Sequence, residues 1–470
     1  MLLTGACAAD RPRNEMTNDD IRMTNRTATT NGEAGPRPSS LVANVRRDAA
    51  ASSGFVIRYS GVIAGLPLAC VVLLTGCAVK PVELVESRPA MNTEVTVRAI
   101  GPSEKVARRA LDAAWKEMDL CVMLLDRYRK PTEAWLRGDA EARRDPGQGP
   151  SDVWRINEEA GKGATQVDPI VTSCLSAANE VYDLSGGAFD PTVGPLVDLW
   201  RQAAAKNRLP TDEQLQKARS LAGMNKVEVT ILFGATAPTV APARPPAGGR
   251  KQKPLGQAAH QVSMPAGMRL DLGGVAKGYI AGRMAQRMKR AGATAGLVAA
   301  AGDTYAFGER PPALAHDGGD PRWSVGIQDP RFPEDRSRLY TAIHVRDKGV
   351  ETSGHYYRGY MIEGKRYSHI LDPRTGRPVD PHLASVTVVS DDPGLADGLA
   401  TAIAVLGAKE GLAMVEKTEG VECLLLEAVL KEGQTFQPCG APPPDAELVA
   451  YRSKGFGQLE FKPAETKSAE

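Results

Sequence analysis

Apolar residues at 106, 110, 111, 114, 118, 122 and 125 recur at three- and four-residue intervals behind Ser103. That spacing predicts a helix from a Ser103 cap to about Leu125. Just upstream, "NTEVTVRAI" (92–100) alternates polar and apolar positions, as a half-buried strand does. A second amphipathic helix is predicted in "DPIVTSCLSAANEVYDLSGG". There Ile170, Val171, Cys174, Leu175, Ala178, Val181 and Tyr182 line one side, and Gly186-Gly187 stop it. Residues 130–150 are charged and contain Gly and Pro, so they read as a loop, and 211–222 reads as polar helix.

Further on, "MRLDLGGVAKGYIAGRMAQRMKRAG" reads as strand, glycine turn and helix, and "AGLVAAAGDTYAFG" as a strand into a turn. "WSVGIQDP", "RLYTAIHVRD", "GVETSG", "RYSHILDP" and "LASVTVVS" predict successive short strands, with "GVECLLLEA" and "GFGQLEF" as late ones. Strands and helices mix without a regular βα alternation and without an internal repeat. The predicted class is therefore α+β, a single domain of mixed sheets and packed helices. One helix is anomalous. "ADGLATAIAVLG" (396–407) is apolar except for Asp397 and Thr401, which lie four residues apart on one face.

Composition changes this picture little: 42% hydrophobic and 24% charged residues are ordinary globular values. A formal charge of +2 with no block of Lys or Arg excludes a nucleic-acid-binding footprint. The N-terminus changes it more. Residues 54–76, "GFVIRYSGVIAGLPLACVVLLTG", combine a basic start, a short apolar run and a small-residue exit, which describes a secretory signal. "LTGC" resembles a bacterial lipobox, and that resemblance implies lipidation of Cys77 as the mature N-terminus. Residues 1–53 are polar and aperiodic, expected to be disordered or to precede the true start; initiation at Val56 would give a short basic n-region.

Residues 77–90 then read as a tether, 91–460 as the domain with a disordered Pro/Ala/Gly insert at 234–262, and 461–470 as a flexible tail. Loss of residues 1–76 removes eight Arg and six Asp or Glu, leaving a balanced charge. Cys121 and Cys174 fall in apolar helical patterns and are expected to be inert core thiols. Cys423 and Cys439 are placed to pair across a C-terminal hairpin, or to remain apart, and no spacing suggests zinc.

Four stretches concentrate chemistry. Asp397 and Thr401 offer a hard cation two oxygen ligands. Alternatively, Asp397 favours the first turn of its helix and Thr401 bonds back one turn; read alone, that is the simpler account. "DLGGVAKGY" (271–279) sets Gly273 and Gly274 between strand and helix with Lys277 in the first turn, a backbone that admits a phosphate. Its spacing is neither the dinucleotide fingerprint nor a Walker loop. Together these two stretches point to a diphosphate held by magnesium.

"SGGAFDPTVGPLVDLW" (185–200) is a polar–apolar loop in which Asp190 can bond a heterocycle or ribose, or simply open a turn with Pro191. "GHYYRGYMIEGKRYSHILDPRTGRPVD" (354–380) gathers Arg358, Lys365, Arg366, Tyr367, His369 and Arg374. His369 there is a proton carrier, a phosphate donor or a core hydrogen-bonding residue.

In order along the chain, "MNTEVTV", "SDVWRIN", "SGGAFDPTVGPLVDLW", "DLGGVAKGY", "AAGDTYAFG", "WSVGIQDP", "VETSG", "YSHILDPRTGRPV" and "ADGLATAIAVLG" resemble the FAD:protein FMN transferases, the ApbE family. The resemblance implies an ApbE-like domain in a lipoprotein anchored on the periplasmic or extracytoplasmic side of a membrane. It implies an enzyme that binds FAD with Mg2+ and moves FMN onto a Thr or Ser of a partner flavoprotein, a redox-complex subunit or secreted domain, releasing AMP. By the same resemblance, Asp397, Thr401 and the backbone of Gly274 are metal ligands. Met91, Tyr128 (over the flavin ring), Ala188, Phe189, Asp190, Lys277 and His369 contact FAD. His369 and Asp397 stand at the reaction centre.

An FAD pyrophosphatase yielding FMN and AMP, and a non-catalytic FAD-binding lipoprotein, are the alternatives. Three positions depart from the family pattern: Gly282 and His355 stand where Asp is usual, and Ala301 where Gly is usual.

Overall fold

The computed structural model describes residues 80–233, 258–315, 319–354, 358–437 and 440–461. Among these, eight strands form one sheet in the order Val82–Ala90, Thr93–Gly101, Ala295–Ala300, Asp303–Phe307, Lys348–Gly354, Leu383–Ser390, Glu422–Val429 and Glu447–Arg452. Spatial order is chain order, and every neighbouring pair is antiparallel. The sheet is thus a meander, and the helices and smaller hairpins are insertions between its successive strands. This is the α+β arrangement that the lack of βα alternation predicts.

The period of two sends alternate residues to two different cores. Val95, Val97, Val298, Val386, Val388 and Leu425 pack in the larger core. It includes residues of the Glu104–Leu125, Pro169–Leu184, Ala276–Arg290 and Pro393–Leu406 helices. Ile100, Ala295, Val350, Val389, Leu424 and Leu426 pack in a second core with Trp323, Ile327, Ile343 and Val345. Those four come from the Trp323–Gln328/Leu339–Val345 hairpin. Leu383–Ser390 is buried along its whole length because it lies between both cores. Cys121 and Cys174 sit fully buried in the larger core, as the periodicity predicts, and burial pushes the Cys121 thiol up to about 12.

Several local expectations change. The stretch read as a tether contains a strand: Val82–Ala90 pairs from Val82↔Gly101 to Ala90↔Thr93. Its sequence hides this because it is an edge strand whose half-buried positions include Glu83, Glu86 and Arg88, with Arg98 Nε 2.8 Å from Glu83 across the pair. Met91 and Asn92 form the two-residue turn with φ of 50° and 56°, the left-handed pair that a tight hairpin requires. "MRLDL" forms no strand, only isolated bridge positions such as Val193↔Arg269. "GFGQLEF" is no strand: Phe456–Gln458 is a single 3-10 turn that buries Phe456.

The predicted insert ends early, since Ala259–Ser263 is a strand between Thr165–Val167 and Glu228–Leu232. Residues 1–79, including the signal and Cys77, lie outside the described residues, as do 234–257, His355, Cys439 and 462–470. Among the described residues no helix is long and apolar enough to cross a membrane.

Candidate active site

The Pro393–Leu406 helix fixes the centre of the site. Asp392 caps it, its Oδ1 accepting from the N–H groups of Gly394 (2.8 Å) and Leu395 (3.1 Å), and Pro393 occupies the first helical turn. Asp397 therefore lies past the cap, and the capping account of its carboxylate does not hold. Pro393 itself sits in a socket of three glycines. A Cβ on Gly278 would lie 2.1 Å from the Pro393 carbonyl oxygen, one on Gly282 2.8 Å from its Cγ, and one on Gly349 2.7 Å from its Cα. This closeness lets the backbone N–H of Gly278 donate to Asp397 Oδ2 at 3.1 Å.

Around Asp397 the charges are dense. Lys277 Nζ lies 3.5 Å from Asp397 Oδ1, 2.9 Å from Asp303 Oδ2 and 3.3 Å from the Gly273 carbonyl oxygen. Burial works against the ammonium, but Asp303 and Asp397 outweigh it and hold its pKa above the ordinary lysine range. Burial pushes Asp397 up to about 6; Lys277 opposes that shift and Asp303 adds to it. The lysine in the helix's first turn is thus committed to carboxylates as well as available to a phosphate.

Thr401 and Gly274 line the same cavity as Asp397. A Cβ on Gly274 would meet Thr401 Oγ1 at 2.8 Å and the Phe189 ring at 3.1 Å, so only glycine leaves this gap open. Two further carboxylates were not singled out from the sequence. Asp303, Glu351 and Asp397 each bring a carboxylate oxygen within 4.8 Å of the others, and all three are buried. Glu351 is fully buried; burial, then Asp303 and Asp397, raise its pKa well above the usual carboxylate range. The signal was present: "AAGDTYAFG" and "VETSG" each place one acid in an otherwise small or apolar strand.

Asp303, Asp397, Lys277, Thr401 and Gly274 open onto a cavity of about 490 Å³, a size suited to a small-molecule ligand, with Glu351 buried behind its wall. Ala188, Phe189, Asp190, Gly274, Lys277, His369, Asp397 and Thr401 all line it. Asp190 combines both of its sequence-level readings. It faces the cavity, while its Oδ1 accepts from Thr192 N (2.8 Å) and Thr192 Oγ1 (2.6 Å) to close the turn. His369 is half-buried just after the Lys365–Ser368 strand.

Two of the predicted contact residues, Met91 and Tyr128, are not among those lining this cavity. Met91 forms the hairpin turn, and it is its neighbours Asn92 and Thr93 that line the cavity. Tyr128 is not on the cavity wall; its ring lies 4.9 Å from the Arg127 guanidinium and 4.6 Å from that of Arg201. Arg127 is buried against Asp271 and, at 2.8 Å, Asp198, which anchors the tyrosine beside the helix end.

Comparison with known proteins shows what the whole chain is similar to. The FAD:protein FMN transferase of Treponema pallidum is 30% identical over 273 residues, covering 58% of this chain and 69% of that protein. The FAD:protein FMN transferase of Salmonella typhimurium is 28% identical over 400 residues, covering 82% and 97%. The apo form of Pseudomonas stutzeri flavinyl transferase ApbE superposes with a TM-score of 0.55 at 25% identity, over 81% of this chain and 97% of that one. The ApbE protein of Thermotoga maritima superposes with a TM-score of 0.56 at 26% identity, over 81% and 100%. The ApbE family profile matches residues 91–425, a span that holds every residue of the carboxylate–lysine centre, and the chain belongs to the ApbE family.

Proposed function

We propose that the protein is a magnesium-dependent FAD:protein FMN transferase. The observation that carries this reading is the convergence of Asp397, Thr401 and Gly274 with Lys277 and Asp303 in a cavity that also holds the Phe189 ring. A charged centre beside an apolar wall suits a diphosphate joined to a flavin. The donor set is made of hard oxygens, which fits Mg2+, and Asp397, Thr401 and the backbone of Gly274 are the residues that would hold it. When bound, the cation supplies charge neutralisation at the diphosphate.

In this reading the hydroxyl oxygen of an acceptor Thr or Ser bonds to the FMN-side phosphorus. The bond from that phosphorus to the bridging oxygen breaks, and AMP leaves with that oxygen. The hydroxyl must also lose its proton. Asp397 is a poor recipient because Gly278 N–H engages one oxygen and Lys277 the other. His369, half-buried on the cavity wall, is assigned that role. Lys277 holds the carboxylates in place and adds positive charge beside the diphosphate, so positioning and electrostatics supply most of the catalysis. A lipid on Cys77 would place this chemistry at a membrane surface, beside a flavin-accepting redox subunit or secreted domain.

The test is incubation of the protein with FAD, Mg2+ and a flavin-acceptor domain, read by in-gel flavin fluorescence. Covalent fluorescence on the acceptor that disappears in Asp397→Ala is expected. AMP and free FMN released at the same rate without acceptor would instead identify a pyrophosphatase.

A further inference from the structure

Three oxygen atoms surround the Lys277 ammonium, each from a different part of the fold. Asp303 Oδ2, on the Asp303–Phe307 strand, lies at 2.9 Å. The Gly273 carbonyl oxygen, in the glycine turn, lies at 3.3 Å, and Asp397 Oδ1, on the Pro393–Leu406 helix, at 3.5 Å. An ammonium has three N–H donors, so the protein itself fills its capacity. A phosphate oxygen entering the cavity gains a donor only at the expense of one of these contacts. The longest is the contact with Asp397, and it yields first.

The order of access points the same way. Lys277, Asp303 and Asp397 all line the cavity, but the lysine side chain is 23% exposed, against 6% and 4% for the two carboxylates. An anion arriving from the cavity meets the ammonium before either carboxylate and is attracted. A cation meets the same ammonium first and is repelled. Asp397 has both oxygens engaged: Oδ2 accepts from the Gly278 N–H at 3.1 Å, while Oδ1 faces Lys277. A cation that needs Asp397 must therefore share Oδ1 with a positive charge, unless that charge moves.

We propose that Lys277 couples the binding of cation and dinucleotide: its ammonium guards Asp397 against Mg2+ until a diphosphate draws it away, with Asp303 as the pivot that keeps hold of it. The inference rests on the magnesium and FAD reading given above and adds a binding order to it. Asp303, the shorter contact, is then a positioning residue that acts through the lysine. The same side chain that blocks the cation alone serves the diphosphate once both are present. By linkage, the factor by which FAD tightens Mg2+ equals the factor by which Mg2+ tightens FAD.

The experiment is calorimetric titration of the full chain with MgCl2, with and without saturating FAD and with no acceptor present. The natural protein is compared with Lys277→Gln and Lys277→Arg. Lys277→Gln removes the charge and is expected to tighten Mg2+ about tenfold in the absence of FAD, and to shrink the gain from FAD by a similar factor. Lys277→Arg keeps the charge on a planar fork that holds carboxylates more firmly, and is expected to weaken FAD-free Mg2+ binding several-fold. Lys277→Gln leaves two buried carboxylates without their cation, so thermal melting must show that it folds; where it does not, Lys277→Arg decides alone. Unchanged or weaker FAD-free Mg2+ binding in folded Lys277→Gln would overturn the guard. So would FAD-free binding in Lys277→Arg as tight as in the natural protein. The two ideas fail separately: Mg2+ binding with the expected pattern but no flavin transfer rejects only the transferase. Flavin transfer with FAD-free Mg2+ affinity indifferent to Lys277 rejects only the guard.

Discussion

Gly278 and Pro393 are in backbone contact: a methyl group on Gly278 would lie 2.1 Å from the Pro393 carbonyl oxygen. That approach brings the Ala276–Arg290 and Pro393–Leu406 helices close enough for the Gly278 N–H to reach Asp397. The Asp397 carboxylate is therefore aimed by backbone, independently of any ligand.

The same contact explains one departure from the family pattern. Gly282 lies one turn after Gly278, and a Cβ there would come within 2.8 Å of the Pro393 ring. Restoring the acid with Gly282→Asp should lower the melting temperature, at a cost of about 1–3 kcal/mol for overpacking. Pairing it with Pro393→Ala, which removes the ring but keeps the helix, should recover most of that loss. A double-mutant cycle by urea denaturation measures this, and simple additivity would show that the two positions do not compensate.

A second departure predicts opposite effects from two substitutions. Ala301 turns the chain between Ala300 and Asp303 with φ of 58°, in the region that favours glycine. Strain there costs roughly 1–2 kcal/mol, and glycine gives back part of its relief through the unfolded chain. Ala301→Gly should stabilise the protein by about 0.5 kcal/mol, whereas Ala301→Val, being β-branched, should destabilise it. Equal effects of the two in denaturant melts would contradict a strained turn.

These cases show which parts of the fold were legible. Interior strands and long helices declared themselves because burial imposes a period of two or of 3.6, as in "LASVTVVS" and in the helix behind Ser103. Val82–Ala90 did not, because an edge strand can fill its pleat with Glu and Arg. Asp397 and Thr401 were legible as a pair since one helix face carries both. Asp303 and Glu351 were not, because they come from two different strands and meet only through the sheet. Tyr128 resembles a ring-covering residue by sequence neighbourhood; in the structure its ring lies beside the Arg127 and Arg201 guanidinium groups, a contact between distant segments that sequence spacing does not reveal.

The metal assignment makes its own prediction. Asp397→Asn keeps an oxygen for the Gly278 N–H but removes a charge from the donor set. The fold should survive, while Mg2+ affinity falls further than the about 10–100-fold typical of losing a supporting partner. Flavin transfer should fall with it. Thr401→Val, which removes a neutral ligand of the same shape, should cost less on both measures. Calorimetry with Mg2+ reads the first effect and in-gel flavin fluorescence the second; unchanged Mg2+ affinity in Asp397→Asn would remove Asp397 from the site.

Glu351 yields the sharpest test because its cost is pH-dependent. Its carboxyl is buried beside Asp303 and Asp397, and its pKa in the folded protein is raised well above the usual range. A raised carboxyl pKa means that folding is opposed once pH exceeds the unfolded value of about 4.3, and increasingly so up to the folded value. In chelator-treated protein, Glu351→Gln should therefore match the natural protein near pH 4 and melt at a progressively higher temperature towards pH 8. Adding Mg2+ should narrow or reverse the gap, since a ligand that binds the folded state stabilises it and glutamine removes a charge from the set. Thermal melts across pH, with and without Mg2+, separate the two effects. A constant difference from pH 4 to 8 would mean that Glu351 carries no buried-charge cost, and its place among the three carboxylates would be purely steric.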